Sequence, residues 1–245
     1  MPNRKALIGI ILRWITFMSS TENQYQQVDH RTRVGQERRQ KMRMRLLESA
    51  LLVYAEKGID ASVIDDVIVK AGVSRGTFYN YFRANSDVVT TLGEILSNEI
   101  VSQIEKTVGE LPDPVEVLAT GLRMFLQTTK DYPHYASFIW KAGFNAQTAQ
   151  YLIYDYLPRH IKKSVAQGSF RVKDEQIAFE IIVGIMLATI FSLSTRSPGP
   201  GYPECMVKHA LMALGISEPE AERLVRLPLP STDLDANSLL VRAHS

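Results

Sequence analysis

The segment from Ser74 to Tyr81 concentrates the polar groups that proteins use to contact nucleic acid. It reads SRGTFYNY and supplies a guanidinium, hydroxyls, a carboxamide and phenols. Such groups hydrogen-bond to phosphate oxygens and to base edges in the DNA major groove. On a helix, Phe78 and Phe82 lie four residues apart and would be buried together, leaving the polar residues outside. A surface helix of an ordinary bundle is the alternative explanation. The chemistry that we predict is reversible binding of DNA.

Two short helices joined by a tight turn must hold this segment in place. Ser62 and Asp65 form an S-x-x-D capping pattern at the start of the first helix. Gly72 can adopt the positive φ that ends a helix, and Ser74 can cap the helix that follows. The spacing is that of a helix-turn-helix motif.

The string AGVSRGTFYNYF closely resembles the recognition segment of the TetR family of one-component bacterial transcriptional regulators. The likeness extends, with less precision, from about Gln36 to about Leu96. It implies an all-α fold, in which an N-terminal three-helix helix-turn-helix DNA-binding domain precedes a C-terminal helical ligand-binding and dimerisation bundle. The positions that match backbone contacts of the family are Ser74, Thr77, Tyr79 and Tyr81. The positions that match base contacts are Arg75, Gly76 and Asn80.

Two positions depart from the family pattern. Ile68 stands where members often have Ala, which indicates altered packing between the helices. Asn85 stands where they very often have a phosphate-binding Lys, which removes one expected charge contact.

Basic residues accumulate directly upstream of the motif. They are Arg31, Arg33, Arg38, Arg39, Lys41, Arg43 and Arg45, with Glu37 the only acid among them. A solvated helix face would also explain this run. Upstream of a helix-turn-helix, however, such a run can neutralise phosphates, so that affinity falls as salt rises. The net charge of +2 is too small to indicate nucleic acid by itself. We therefore predict DNA contacts from Arg38, Arg39 and Lys41 of this basic run, called the arm, and from Ser62 of the motif.

Apolar periodicity predicts helices along most of the remaining chain. The first long helix runs from about Gln36 to Lys57, and a fourth repeats apolar residues every four positions from Val88 to Val108. The predicted segments are a flexible extension (1–35), a helix-turn-helix domain (36–91), an effector-binding and dimerisation domain (92–227) and a disordered tail (228–245).

Residues 2–18 form a short basic and apolar stretch that Arg13 interrupts. It is too short to span a bilayer, which needs about 20 apolar residues. A translation start at Met18 is the preferred explanation, and a flexible arm or a membrane-surface anchor remain open.

Aromatic residues are concentrated in the middle of the C-terminal half. Together they can line a mostly apolar pocket, although residues at helical spacing are usually core. The predicted effector is an apolar or aromatic small molecule, and the predicted effector contacts are Tyr135, Phe138, Trp140, Phe144, Tyr151 and Tyr154.

Residues 174–195 are apolar nearly all the way round a helix. A membrane span competes with a helix that is buried on all sides, and Glu180 together with the amphipathic neighbours favours burial. This helix and Glu204–Leu214 each need another surface, which predicts a homodimer interface. Two recognition helices about 34 Å apart could then read half-sites one helical turn apart.

The sequence shows no catalytic signature. It has no H-E-x-x-H, Walker, G-x-S-x-G or G-x-G-x-x-G motif, and its five histidines form no ligand-like pairs. The single Cys205 fits a reducing compartment. We predict no enzyme activity, no metal and no cofactor. The predicted function is a cytoplasmic, homodimeric repressor that a small-molecule effector releases from a double-stranded DNA operator. A small-molecule carrier and a membrane-associated sensor are the alternatives.

Overall fold

The computed structural model describes residues 33–60, 63–143 and 153–244. Within these ranges the chain forms helices and no strand, so the predicted all-α fold is confirmed. The helices are α1 (33–57), α2 (Ile64–Ala71), α3 (Arg75–Tyr79), α4 (Asn85–Val108), α5 (Pro114–Asp131), α6 (Pro133–Ala142), α7 (Ile153–Ala166), α8 (Glu175–Thr195), α9 (Tyr202–Ala213), α10 (Glu218–Val225) and α11 (Leu239–His244).

By contact density the chain divides into two compact units, residues 1–45 and 46–245. In the described part of the first unit, residues 33–45 are helical, and Arg33 pairs with Glu37 at 3.8 Å. The second unit contains the helix-turn-helix and the C-terminal bundle. The expected boundary between residues 91 and 92 stays a prediction.

Local chemistry explains the α2–α3 turn. Gly72 ends α2 in the left-handed conformation, with φ 60° and ψ 42°. Ser74 caps α3, because its Oγ accepts a hydrogen bond from the Thr77 backbone N–H at 3.1 Å. Phe78 and Phe82 are buried with ring centroids 5.9 Å apart. The polar side of α3 consequently faces outward.

The start of α2 differs from the expected capping pattern. Its N-cap position is Val63, which makes no side-chain capping hydrogen bond, and Ser62 lies outside the described residues. The Asp65 carboxylate instead accepts two hydrogen bonds from the Arg75 guanidinium, at 2.5 and 2.7 Å. This acid joins α2 to the recognition helix rather than capping α2.

Asn85 fixes the N-terminal end of α4 within the head, which is the part of the second unit formed by the end of α1, α2 and α3. Its Oδ1 accepts from the Tyr54 hydroxyl at 2.5 Å, and its Nδ2 donates to the Ile59 carbonyl at 2.5 Å. Burial raises the pKa of Tyr54, so the hydroxyl remains a donor. The side chain that departs from the family pattern therefore points inward.

We expect Asn85→Lys to destabilise the protein by about 1–3 kcal/mol instead of adding a phosphate contact. An ammonium can donate to the Ile59 carbonyl but cannot accept from Tyr54, whose hydroxyl would be left buried without its partner. Urea unfolding measures the change in free energy. The exposed neighbouring substitution Ser86→Lys is the control and should lie within about 0.5 kcal/mol of the wild type. Stronger DNA binding by Asn85→Lys at unchanged stability would contradict the inward orientation.

Helices α5 to α10 share one apolar core. Leu118, Ile161, Phe170, Ile182 and Leu211 are almost completely buried in it. Each such side chain stabilises the fold by roughly 1.5–3 kcal/mol relative to an exposed one. Helix α7 continues through Pro158.

Helix α8 is buried on one side only. Ile182 and Met186 face the core, whereas Ile177 is 51% exposed and Gly184 and Ala188 are also exposed. The expected burial on all sides is therefore wrong for a single chain. Among the described helices, α8 is long and apolar enough, by length and composition alone, to cross a membrane.

Residues 239–244 form a helix in the segment where a disordered tail was expected. Leu239 and Leu240 of α11 are buried against α4, and the Leu239 backbone N–H donates to Glu99 Oε1 at 3.1 Å. Arg242 pairs with Glu48 of α1 at 2.5 Å, and the His244 ring meets the edge of Tyr132. Short apolar runs such as LLV carry too little periodicity to predict a helix, and only the groove beside α4 gives these side chains a place to be buried.

Candidate functional site

The described recognition residues present a polar surface on α3. Arg75, Gly76 and Asn80 are exposed, and Tyr79 is 46% exposed with its ring edge-on to Phe78 at a centroid distance of 5.4 Å. The backbone-contact positions Ser74, Thr77 and Tyr81 lie on the same short segment, fully or partly exposed. The structure thus leaves the predicted contact groups accessible to a duplex. The assignment of each one to phosphate or to base stays a prediction.

Arg75 is exposed but paired. Both its side chain and that of Asp65 are about two-thirds exposed, at 66% and 67%. Solvent-exposed ion pairs are worth about 0–1 kcal/mol, so the guanidinium can leave Asp65 at little cost. In this structure the Asp65 carboxylate holds the Arg75 guanidinium.

The basic arm residues Arg38, Arg39 and Lys41 are exposed on the helical part of the first unit. Arg31 and Ser62 lie outside the described residues. A solvated helix face and a phosphate-binding arm both fit this exposure, so the arm's DNA contacts stay a prediction.

A cavity of about 210 Å³ lies within the bundle between α4, α5, α6, α7 and α8. Its wall is almost wholly apolar, and three of the predicted aromatic residues, Tyr135, Phe138 and Tyr154, line it. Burial raises the pKa of Tyr154, which keeps its phenol neutral. Other lining side chains come from the neighbouring helices: Ile104, Leu118, Leu122, Phe179 and Met186.

The remaining predicted pocket residues have different outcomes. Trp140 is not one of the lining residues, because its ring packs on Phe191 of α8 with centroids 4.3 Å apart and is 41% exposed. On α6 its position is on the far side of the helix from Phe138. Phe144 and Tyr151 lie outside the described residues.

Sequence reasoning missed a hydrogen-bonded pair of side chains at the cavity wall. Glu105 of α4 and His160 of α7 both line the cavity, with Oε2 and Nε2 2.9 Å apart. Arg159 adds a contact to Glu105 Oε1 at 3.5 Å. The two partners are 55 residues apart in sequence, so no local spacing could reveal the pair.

Helix α6 connects this cavity to α1. Lys141 donates hydrogen bonds to the carbonyls of Ala55 and Glu56 at 2.6 and 2.7 Å, where the last turn of α1 leaves acceptors unsatisfied. Phe138, which lines the cavity, stacks on Tyr54 with ring centroids 6.3 Å apart. One face of α6 therefore contacts the cavity, and its end contacts the head.

Within the described ranges, no three His, Cys, Asp or Glu side chains are grouped so that they could hold a metal ion. The site that the structure offers is therefore a polar helix surface and an apolar cavity, joined through α4 and α6.

Comparisons with known proteins agree with this arrangement. A model described as bacterial regulatory proteins, tetR family, matches residues 46–89, and one described as tetracyclin repressor-like, C-terminal domain, matches residues 113–226. The curated relative YvdT of Bacillus subtilis (strain 168), an uncharacterized HTH-type transcriptional regulator, is 36% identical over 61 residues. That match covers 25% of this chain, which spans about a third (31%) of the relative's length.

Solved structures share the fold over most of the chain. RolR in complex with resorcinol has a TM-score of 0.57 at 22% identity and covers 80% of this chain and 99% of its own. The transcriptional regulator FadR from Bacillus subtilis, in complex with stearoyl-CoA, has a TM-score of 0.57 at 19% identity and covers 71% and 98%. The helix-turn-helix, the C-terminal helical domain and these matches together show that the chain belongs to the TetR family of bacterial transcriptional regulators.

Proposed function

We propose that this protein is a homodimeric repressor that a small-molecule effector releases from a double-stranded DNA operator. The observation that carries the proposal is what the two ends of α4 contact. Its first residue, Asn85, is hydrogen-bonded inside the DNA-binding head, and its last turns, at Ile104, Glu105 and Val108, line the cavity. A molecule that enters the cavity touches the helix that holds the head.

The mechanism follows from this connection. An effector that prefers one position of α4 in the bundle shifts the protein towards that position. If the two recognition helices of a dimer are then too far apart or too close for successive major grooves, the protein leaves the DNA. The coupling equals the difference in effector affinity between the DNA-compatible and DNA-incompatible states.

A second copy of the chain is the partner that fits α8 and α9. Ile177, Gly184 and Ala188 expose an apolar and small-residue face of α8, and Ala213 is exposed on α9. Burying this face against its symmetry mate removes apolar surface from water and brings two heads together. A protein that binds the chromosome in this way works in the cytoplasm.

Two of the solved structures contain different kinds of ligand. RolR was solved with resorcinol and FadR with stearoyl-CoA, a single-ring molecule and a long-chain thioester. The cavity of about 210 Å³ lies below the roughly 300–1,000 Å³ of most drug-sized ligand pockets. Its size favours the smaller kind of molecule.

Fluorescence anisotropy with labelled duplexes tests the proposal. Duplexes tiled across the DNA upstream of the protein's own gene should include one that binds in the nanomolar range, with affinity falling as salt rises. A shuffled duplex of equal length is the control. Equal affinity for all duplexes, or no binding at low salt, would leave a small-molecule carrier as the better description.

A further inference from the structure

The chemistry of the cavity wall identifies the class of effector. We infer that the cavity takes a neutral molecule about one ring in size that donates a hydrogen bond to Glu105, and that it rejects anions. This inference rests on the proposed function only in taking the cavity as the effector site.

Size is the first constraint. A cavity of 150 Å³ lined by Leu, Ile and Phe is large enough for benzene, so about 210 Å³ holds one ring with a few substituents. The wall is lined by Leu118, Leu122, Phe125, Ile139 and Phe179 over most of its extent. An apolar ring gains the hydrophobic free energy of leaving water against such a wall.

Charge is the second constraint. Among the described lining residues, the ionisable groups besides the tyrosines are Glu105 and His160, which are paired with each other, and neither Lys nor Arg lines the cavity. Arg159 reaches Glu105 from outside the wall, with its guanidinium over the Tyr156 ring at 4.5 Å. A carboxylate or phosphate in the cavity would therefore face Glu105 without a cation of its own, and burying an unpaired anion is strongly unfavourable.

Hydrogen bonding is the third constraint. A carboxylate accepts at about four lone-pair sites, and among the described residues His160 donates a hydrogen bond to Glu105, whereas Arg159 lies in ion-pair contact at 3.5 Å. A ligand O–H or N–H group matches the acceptor sites of the Glu105 carboxylate that remain. Because Glu105 belongs to α4, the ligand that satisfies it also contacts the helix that holds the DNA-binding head.

Calorimetric titration of the full chain without DNA tests this inference with four probes: phenol, toluene, benzoate and decanoate. Phenol should bind at least about tenfold more tightly than toluene, because a hydrogen bond to a charged acceptor contributes that much. Benzoate and decanoate should bind most weakly.

Two variants separate the acceptor from the rest of the wall. Glu105→Leu removes the acceptor, so phenol should lose its advantage and toluene should bind at least as well. Glu105→Gln keeps an oxygen that accepts from His160 but removes the negative charge, so benzoate should gain affinity while phenol still exceeds toluene. Circular dichroism establishes whether each variant is folded. If Glu105→Leu does not fold, the gain in benzoate affinity of Glu105→Gln provides the test.

Three results would overturn the inference: tighter binding of either anion than of phenol by the wild type, an unchanged phenol-to-toluene ratio in both variants, or no binding of any probe. Because these titrations contain no DNA, failure of the operator-binding experiment leaves them interpretable, and their failure leaves the operator-binding result standing.

Discussion

Replacing Asn80 by Ala should relax the sequence preference of the protein, whereas replacing Tyr79 by Ala should weaken its binding to all duplexes alike. A base contact from a carboxamide is worth about 1–3 kcal/mol of discrimination, and a phosphate contact carries no sequence information. Tyr79 is the last residue of α3 and Asn80 follows it, and both are exposed near the buried Phe78. Since a dimer carries two copies of Asn80, Asn80→Ala should weaken binding to the preferred operator by about 2–6 kcal/mol, or roughly 30- to 10⁴-fold in affinity.

Arg75 gives a sharper form of the same experiment, because its guanidinium is bound by Asp65 in the free protein. Arg75→Ala should relax base preference as Asn80→Ala does. Asp65→Ala should leave base preference intact and change the affinity by no more than about 1 kcal/mol per subunit, the worth of an exposed ion pair. Anisotropy against a panel of single-base operator variants measures both quantities.

Lys162 provides the control for charge, because it is exposed on α7 and belongs to the C-terminal bundle. Lys162→Ala should change neither the affinity nor the preference beyond a small salt-dependent effect. If Tyr79→Ala, Asn80→Ala and Arg75→Ala all relaxed the preference equally, the division into phosphate and base contacts would be wrong.

The helix-turn-helix could be predicted because its signals are local. Gly72 adopts the left-handed conformation that ends α2, Ser74 caps α3 through its own side chain, and Phe78 lies with Phe82 in the core. Each of these features depends on residues within five positions of one another. Propensity and periodicity act over that range.

Features that depend on distant partners could not be predicted. Asn85 looked like a missing phosphate contact, yet Tyr54 and Ile59 turn its side chain inward. The Glu105–His160 pair and the exposed Trp140 depend on how helices far apart in sequence pack together. Sequence alone fixes which face of a helix is apolar but not which neighbour covers it.

The C-terminal residues illustrate the same limit and have the largest expected effect on stability. We expect Leu240→Ala to lower the free energy of unfolding by about 2–5 kcal/mol, because the side chain is 2% exposed and its removal leaves a cavity beside α4. For a domain of about 200 residues this corresponds to a fall in Tm of roughly 4–20 °C, which differential scanning calorimetry measures. A tail that did not pack would show no change.

Variants of the charged residues around α11 test whether apolar packing or charge holds this helix in place. Burial raises the pKa of Glu99, and the backbone N–H groups of Leu239 and Leu240 offset part of that rise. Glu99→Gln retains an acceptor for Leu239 and removes a buried charge, so it should cost little at neutral pH. Because the folded pKa of Glu99 is raised, the wild type should gain stability relative to Glu99→Gln below the unfolded pKa of Glu99. It should lose that gain as pH rises through the folded pKa.

Arg242→Ala breaks the partly exposed pair with Glu48 and should cost no more than about 1 kcal/mol. If Arg242→Ala destabilised the protein as much as Leu240→Ala, charge rather than apolar burial would hold α11 against α1 and α4.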